Sequence, residues 1–462
     1  MSAVTAPAGA KWGMPDLIPA AALLGIAITI GPSLGSLARP LFVLGCIAVS
    51  WYSWRKSPAA HFRNVLLLFA FAPFARRLVD VSAGFDGASL MLVGPLLAIL
   101  VPGMELLRGN VRMSKAVAPA VVVVLCVIYA TLLTILHGGW SDAASGALKW
   151  LAPIIYAATL ATLADRDELL EAATSAFAII LPLTGAYAIY QYIDPPEWDR
   201  FWMQYATILS AGQPVPYGVR SFSTLNGPAS YATFTATGLL LIFICRFRLL
   251  PILLASPALI GLMLSQYRTA WIALAAGVLF CLLFRRTSLR AIFMIGAVVA
   301  LGLLALTISP FSEVITERLA TLGQGSNDGS AQERLQQYVT LWALPDSSVI
   351  GSGFSTVDVG TAGSMAVDGM IIACWQAMGI PVGILCLFSF VWAICAAVAP
   401  TARTDTIGAV AVGAFAIGAL FQLPLAILGS GELGFLFWSL ILLTPRRDET
   451  PPALKRSTPG KV

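Results

Sequence analysis

Residues 310–368 read PFSEVITERLATLGQGSNDGSAQERLQQYVTLWALPDSSVIGSGFSTVDVGTAGSMAVD, an extended hydrophilic stretch between hydrophobic runs. Loops longer than about 12–15 residues are usually functional or disordered. Within this loop, residues 331–344 place apolar side chains at 335, 338/339, 342 and 344, at helical spacing, and Pro345 follows their end. The sequence therefore predicts a short helix inside a lid, residues 310–369, that lies over an active site.

The composition around this loop is that of a membrane protein. The 462 residues are 58% hydrophobic and 11% charged, with a mean hydropathy of +0.84, whereas soluble domains carry roughly 25% charged residues. Residues 1–462 are thus predicted to be a single all-α polytopic membrane domain of about 12–14 transmembrane helices, with a large outer (periplasmic) loop that contains short helices. The predicted spans lie near residues 17–35, 40–54, 64–82, 88–107, 116–136, 148–164, 172–193, 229–245, 249–265, 269–284, 291–309, 370–396, 406–428 and 432–444.

The distribution of basic residues predicts the orientation, because cytoplasmic connections carry an excess of Lys and Arg. Of the 28 basic residues, 19 fall in one set of connections or termini and 7 in the other. Both termini are therefore predicted to be cytoplasmic, including a tail at residues 445–462. Residues 310–369 and a second loop, residues 194–228, are predicted to face outward.

The second outer loop is rich in proline and aromatic residues. Amphipathic aromatic rings suit either a membrane–water interface or a surface on which sugar rings stack, and the sequence leaves both interpretations open. If sugars bind, the candidates are Trp202 and Tyr217 in this loop and Tyr338 and Trp342 in the lid.

Other features of the sequence argue against several function classes. The basic residues are scattered at span ends, which gives no indication of nucleic-acid binding. All seven cysteines fall in apolar runs without C-x-x-C spacing and are expected to be small buried side chains. His61 and His137 are far apart in sequence, so no histidine-based metal site, and no cofactor, is expected.

Three arginines stand out on the predicted outer side, which has few basic residues. Arg220, Arg268 and Arg334 each occur in polar, turn-forming surroundings. Each alone could simply extend its charge into water. If they converge, they form a diphosphate site, because the planar guanidinium binds phosphate oxygens with two parallel hydrogen bonds.

Three stretches resemble, in order, motifs of the bacterial O-antigen ligase/polymerase superfamily. They are VRSFSTLNGPASYA at residues 219–232, LSQYRTAWIAL at 264–274, and QERLQQYVTLWALPDSSVIGSGF at 332–354. The resemblance covers about residues 215–380. The residues before about 200 match only as hydrophobic spans.

The chain departs from the ligase branch of that superfamily at two points. The ligase branch has a histidine–asparagine pair just before the span that follows the large loop, where this chain reads MAVDGM at residues 365–370. The asparagine after the motif proline is replaced by Ala229. The resemblance therefore implies a polymerase of polyprenyl-diphosphate-linked oligosaccharide units, making O-antigen, capsule or exopolysaccharide, with an O-antigen ligase as the alternative.

Such a reaction needs a base for the acceptor hydroxyl and positive charge at the leaving diphosphate. Asp368 is the candidate base, with Arg334 and Arg220 as the other catalytic residues and Arg268 as a further diphosphate ligand. Asp368 could equally be the N-cap of the next span. Glu317, Glu333 and Glu432 are the less favoured alternatives as base. Attack opposite the diphosphate would invert the anomeric centre without a metal.

The expected partners are the lipid-linked oligosaccharide, the bilayer of the bacterial inner membrane, and a chain-length regulator and flippase of the same pathway. Two other classes of protein stay open. A transporter or flippase would use Arg76, Arg77 and Asp80, which interrupt the third predicted span, along a continuous polar path. A non-catalytic scaffold would leave the outer arginines dispersed.

Overall fold

The structure is a computed structural model that describes residues 14–108, 115–206, 209–305, 307, 332, 335–339, 342, 349–354, 369–404 and 406–443. In these residues the chain is built from helices, and extended pairing is limited to one isolated antiparallel bridge between Gly212 and Val219. The helices of ten or more residues are α1 Met14–Thr29, α2 Ala38–Lys56, α3 Pro58–Ala83, α4 Leu90–Leu100, α5 Ala118–Leu136, α6 Trp140–Leu163, α7 Arg166–Ile193, α8 Glu197–Ala206, α9 Pro228–Cys245, α10 Leu249–Leu264, α11 Arg268–Leu282, α12 Arg285–Ala305, α13 Met370–Val398, α14 Ile407–Gln422 and α15 Gly431–Ile441.

The helices confirm an all-α polytopic membrane protein. Seven helices in the described part of the chain are long and apolar enough to cross a membrane, and six shorter apolar helices accompany them. The remaining long helix is α3, which runs for 26 residues through the charged third predicted span. Ser57 caps its start by accepting the N–H of Ala60 at 3.0 Å, and Pro58 occupies its first turn.

Burial separates central from peripheral helices. In α9, 83% of the apolar window is buried inside the protein, against 17% for α12. A helix that is apolar all round and buried lies in the core, whereas an exposed apolar helix in this kind of protein faces lipid. The core therefore forms around α9, and α12 is peripheral.

Seven of the connections lie at the same end of the bundle, which we call the loop face. Hydrogen bonds join several of them: Ser221 N–H donates to Leu264 O at 3.1 Å, and Met370 N–H donates to Leu423 O at 3.1 Å. Among the described residues, the loop face comprises 30–37, 84–89, 137–139, 194–206, 209–227, 265–267, 335–339, 342 and 423–430.

The helix α13 is broken near its start, and residues 349–354, which we call the glycine segment, occupy the break. Gly379 has a φ of 71°, outside the helical region, and Pro381 has no N–H to offer to Ala377. The freed carbonyls of Gln376 and Ala377 accept the N–H groups of Ser352 at 2.8 Å and Gly353 at 3.1 Å. Irregular backbone at this depth, about 10 Å below the start of α13 at 1.5 Å per residue, is tolerated because its polar groups are satisfied by protein.

The two glycines of this segment are required by its geometry. Gly351 has a φ of 90°, and a Cβ there would lie 2.5 Å from the nitrogen of Gly379. Gly353 has a φ of 73°, and its Cβ would lie 2.3 Å from Thr134 Oγ1. Only a residue without a side chain fits both the backbone conformation and the space.

Candidate functional site

Residues 219–226, which we call the arginine segment, cross the loop face and carry Arg220. The next residue, Ser221, donates its N–H to the carbonyl of Leu264 at 3.1 Å. Leu264 ends α10, and Arg268 begins α11 four residues later. The segment that holds Arg220 therefore lies against the turn that leads to Arg268, and both arginines are half-buried.

The turn before Arg268 also contacts the connection between α14 and α15. The hydroxyl of Tyr267 donates to the carbonyl of Leu425 at 2.9 Å. On the other side of that connection, a Cβ on Gly369 would lie 2.2 Å from Pro424 O. Gly369 has a φ of 95° and directly precedes α13. Three stretches singled out from the sequence thus meet at one place on the loop face.

A carboxylate lies beside these segments. The Oε1 atom of Glu432, in the first turn of α15, accepts a hydrogen bond from Ser230 Oγ at 2.7 Å. One turn further along α9, Thr233 donates to Gln422 Oε1 at 3.0 Å. Glu432 was predicted only as an alternative base, and the structure places it next to a residue of the first motif.

A narrow crevice runs from this region into the bundle between α9, α11, α14 and α15. Its cavity volume is about 20 Å³, which leaves room for about one water molecule. Apart from two threonines and a glutamine the lining is apolar or glycine. The lining residues are Thr233, Ala236, Thr237, Leu240, Ala273, Leu274, Ala414, Phe415, Gly418, Ala419, Gln422, Leu428, Leu433, Leu436 and Phe437.

The charges inside α3 form ion pairs within the helix, with α2 and with the loop face. Arg76 Nε lies 3.1 Å from one oxygen of Asp80, and Arg39 Nη2 lies 2.9 Å from the other. Arg77, which is fully buried, places Nε 3.0 Å from Asp199 Oδ1 on α8. These pairs lie toward the loop-face end of α3. The transporter alternative drawn from these charges stays a prediction.

Asp199 is buried although it lies in the loop between two spans. Its Oδ2 atom accepts hydrogen bonds from Tyr187 at 2.7 Å and Gln191 at 2.6 Å. Burial raises the pKa of this carboxyl, while Arg77 and the two hydrogen bonds act in the opposite direction. The sequence indicates that Arg77 has an acidic partner, since an arginine within an apolar span needs one. It does not indicate that this partner is Asp199, because the 194–228 loop contains several acidic residues.

The aromatic residues of the second loop occupy different environments. Trp202 is 2% exposed and packs on Phe222 with ring centroids 5.4 Å apart, so its ring is not at the surface. Tyr217 is 48% exposed, has a φ of 62°, and lies 5.7 Å from the ring of Tyr192. Of these two sugar-stacking candidates, only Tyr217 is at the surface.

The aromatic residues predicted in the lid lie beside α13. The rings of Tyr338 and Trp342 are 6.2 Å and 6.0 Å from that of Trp375. Trp342 is 70% exposed. These three aromatic rings therefore form one cluster at the loop-face end of α13.

The other predicted site residues fall outside the described part of the chain. Two of the three predicted catalytic residues, Arg334 and Asp368, are among them, as are the alternative bases Glu317 and Glu333. Most of the predicted lid and the predicted tail, residues 445–462, also lie outside the described residues. Their predicted roles stay predictions. Within the described residues, no group of three or more His, Cys, Asp or Glu side chains is arranged to hold a metal ion.

The arrangement suits recognition of an anion at the surface of the membrane. Half-buried arginines bind phosphate groups, and a nearby carboxylate or amide orients a hydroxyl. The sequence did not reveal the Ser230–Glu432 contact, because nothing local in either stretch indicates the other.

Comparison with known proteins supports the resemblance seen in the motifs. Residues 252–387 match the family described as O-antigen ligase. The match begins in α10 and ends in α13, so it includes the Arg268 turn and the glycine segment. No curated protein matches the sequence. The match supports the resemblance of this part of the chain to the O-antigen ligase/polymerase superfamily.

Proposed function

We propose that this protein is a membrane glycosyltransferase that polymerises polyprenyl-diphosphate-linked oligosaccharide units into O-antigen, capsule or exopolysaccharide. The observation that carries the proposal is a set of contacts on the loop face. The arginine segment contacts the turn before Arg268, and that turn contacts the connection between α14 and α15, which in turn contacts Gly369. A scaffold has no need to bring these segments together.

The leaving group determines the chemistry. A sugar on a polyprenyl diphosphate is already activated, so the enzyme must stabilise the negative charge that develops as the bond from the anomeric carbon to the diphosphate oxygen breaks. We assign this role to Arg220, Arg268 and Arg334. Preorganised charges of this kind are worth far more in a site shielded from water than in solution.

The acceptor hydroxyl must lose its proton as it attacks. We assign the base to Asp368, which precedes Gly369 in the sequence, and a role in orienting the acceptor to Glu432. The hydroxyl oxygen bonds to the anomeric carbon opposite the diphosphate, the proton passes to the carboxylate, and polyprenyl diphosphate leaves. The configuration at that carbon is inverted, and the arginines replace the metal ion that many diphosphate-dependent enzymes use.

A ligase that transfers finished glycan to a lipid or protein acceptor is the second candidate. The matched family is described as O-antigen ligase, which favours it. The sequence MAVDGM at residues 365–370, without histidine, favours the polymerase.

We place the site on the outer face of the bacterial inner membrane, with both termini in the cytoplasm and a flippase and chain-length regulator of the same pathway as partners. A labelling tag inserted at Gly325 should react from outside intact cells, and one at Lys455 only after lysis. The reverse pattern would contradict the orientation and the location of the site.

Deletion of the gene followed by size analysis of surface glycans tests the function. A polymerase mutant loses long chains, while single repeat units reach the surface or accumulate on lipid. Long chains that stay attached to polyprenyl diphosphate would instead identify the ligase. Unchanged glycans would contradict both.

A further inference from the structure

Arg77 takes no part in the proposed chemistry, yet it makes specific contacts with the arginine segment. Its side chain is fully buried in α3. Its guanidinium donates from Nη1 to the carbonyl of Leu225 at 2.8 Å and from Nη2 to the carbonyl of Ser223. The third nitrogen, Nε, faces Asp199 at 3.0 Å. One buried cation thus binds two carbonyl groups of the segment that carries Arg220.

Gln191, on α7, binds the N–H groups of the same turn. Its Oε1 atom accepts the N–H of Phe222 at 2.9 Å and the N–H of Ser223 at 2.8 Å. Its Nε2 atom donates to Asp199 Oδ2 at 2.6 Å. Asp199 therefore links Arg77, which binds the carbonyl groups, to Gln191, which binds the N–H groups.

The turn that these side chains hold is not one that the chain adopts easily. Ser223 has a φ of 51°, which is uncommon for a residue with a Cβ. Its hydroxyl donates to Thr184 O at 2.6 Å. Ser221, directly after Arg220, donates its hydroxyl to Ala188 O at 2.9 Å. Strained backbone of this kind persists only where surrounding contacts determine it.

We infer that Arg77, Asp199 and Gln191 form a buried clamp that positions Arg220 against the leaving diphosphate, an inference that rests on the proposed function. The clamp binds the backbone from the second to the fifth residue after Arg220, so it fixes the direction from which the guanidinium reaches the substrate. Small displacements of a charge-stabilising group reduce rates steeply. Arg77 and Gln191 are thus positioning residues.

The neighbouring residue provides a matched control. Arg76 is also a buried arginine of α3, with 4% exposure, but it pairs with Asp80 and donates to Asp86 O at 2.6 Å. It makes the same kind of contacts to a different connection. Arg77→Lys and Arg76→Lys therefore make the same chemical change at neighbouring positions. Arg77→Lys removes hydrogen bonds to the arginine segment, whereas Arg76→Lys removes one to the connection that contains Asp86.

The first measurement is amide hydrogen exchange of the purified full-length protein in detergent. A lysine at position 77 keeps the charge beside Asp199 but cannot bind both carbonyl groups at once. Arg77→Lys should speed exchange in peptides that cover residues 219–226 by about tenfold or more, and Arg76→Lys should leave them unchanged. Equal exchange in the two variants would overturn the clamp. Gln191→Met, which keeps the Arg77–Asp199 pair, gives the same test if Arg77→Lys does not fold.

The second measurement is a double-mutant cycle on turnover of a lipid-linked repeat unit. Arg77→Lys should lower kcat by about 10- to 100-fold with a smaller change in KM, and Arg76→Lys should lower it less than twofold. In an Arg220→Lys background, Arg77→Lys should add less than a twofold loss, because its effect passes through Arg220. The same loss in both backgrounds would show that Arg77 supports the fold only and would overturn the inference.

The two measurements separate failure of the clamp from failure of the proposed function. If the wild-type protein converts no lipid-linked glycan, the proposed function fails, and hydrogen exchange still decides whether Arg77 holds the segment. If turnover is normal and the arginine segment exchanges equally in all variants, the proposed function stands and the clamp is overturned.

Discussion

The arginine segment crosses the loop face, the glycine segment fills the break in α13, and the two are held by different sets of contacts. The arginine segment is fixed by side chains from α3, α7 and α8, among them a buried ion pair. The glycine segment is fixed by main-chain hydrogen bonds to the broken part of α13 and by hydrogen bonds to the side chains of Thr134 and Tyr129, and its two glycines leave no room for a side chain. A segment held by side chains depends on distant residues, whereas one held through its backbone depends on its own lack of side chains.

This difference predicts where each segment is sensitive to substitution. In the proposed function the arginine segment supplies a charged side chain that contacts the substrate, so substitutions there should affect rate. The glycine segment closes a gap in a membrane helix, so substitutions there should affect stability. Four predictions test or refine the contrast.

The largest effect is expected from removal of a predicted diphosphate ligand. Arg220→Ala should lower the rate of chain elongation by about 10²–10³-fold, because a preorganised positive charge at the leaving group is lost. Protein level and melting temperature should change little. Rates would be measured with a lipid-linked repeat unit and purified protein, and in cells by the length distribution of the glycan.

The control for this variant lies in the same loop. Arg200 pairs with exposed Asp194 and is itself 43% exposed, and such surface pairs are worth about 0–1 kcal/mol. Arg200→Ala should leave elongation within twofold of wild type. Normal chain lengths in Arg220→Ala would contradict the role assigned to Arg220.

The second prediction concerns stability. Gly353→Ala should destabilise the protein by about 2–5 kcal/mol, from a left-handed backbone that disfavours Cβ and from steric overlap with Thr134. The thermal unfolding midpoint in detergent and the yield of folded protein measure this loss. Gly138→Ala shares the positive φ, 82°, but its Cβ would meet no heavy atom within 4 Å. Equal losses in the two variants would show that packing in the break of α13 contributes nothing.

The third prediction isolates one hydrogen bond of the glycine segment. Thr134 Oγ1 accepts the N–H of Phe354 at 2.8 Å, so Thr134→Val should cost about 1–3 kcal/mol by leaving that partly buried donor unpaired. Thr131→Val is the matched control, since the hydroxyl of Thr131 bonds to Val127 within its own helix at 2.7 Å. A loss in the control as large as that in Thr134→Val would argue against a specific role for this bond.

The fourth prediction is that removal of divalent metal ions has no effect on elongation. We expect elongation to continue in excess EDTA, because the proposed mechanism assigns charge stabilisation to arginines. Complete loss of activity that a divalent ion restores would contradict this assignment. It would also remove the reason for the contrast between the two segments.

The sequence alone determined the class of the protein and the position of its helices. Hydropathy is a property of a window of about 20 residues, so each of the predicted spans could be located without knowledge of its neighbours. Fourteen spans were predicted, and the described residues form fourteen helices of ten or more residues in addition to α8. Even the charged third span, predicted at residues 64–82, corresponds to α3 at Pro58–Ala83. The motifs likewise indicated the superfamily.

Only the tertiary structure decided which residues meet. Three pairs of residues are separated in the sequence but in contact in the structure. They are Arg77 and Asp199, Ser230 and Glu432, and Gly353 and Ala377. The physical reason is that insertion into a membrane depends on local apolar area, whereas each of these contacts depends on the packing of several helices. A charge or a free carbonyl group inside the bundle must find a partner, but the sequence does not specify which one.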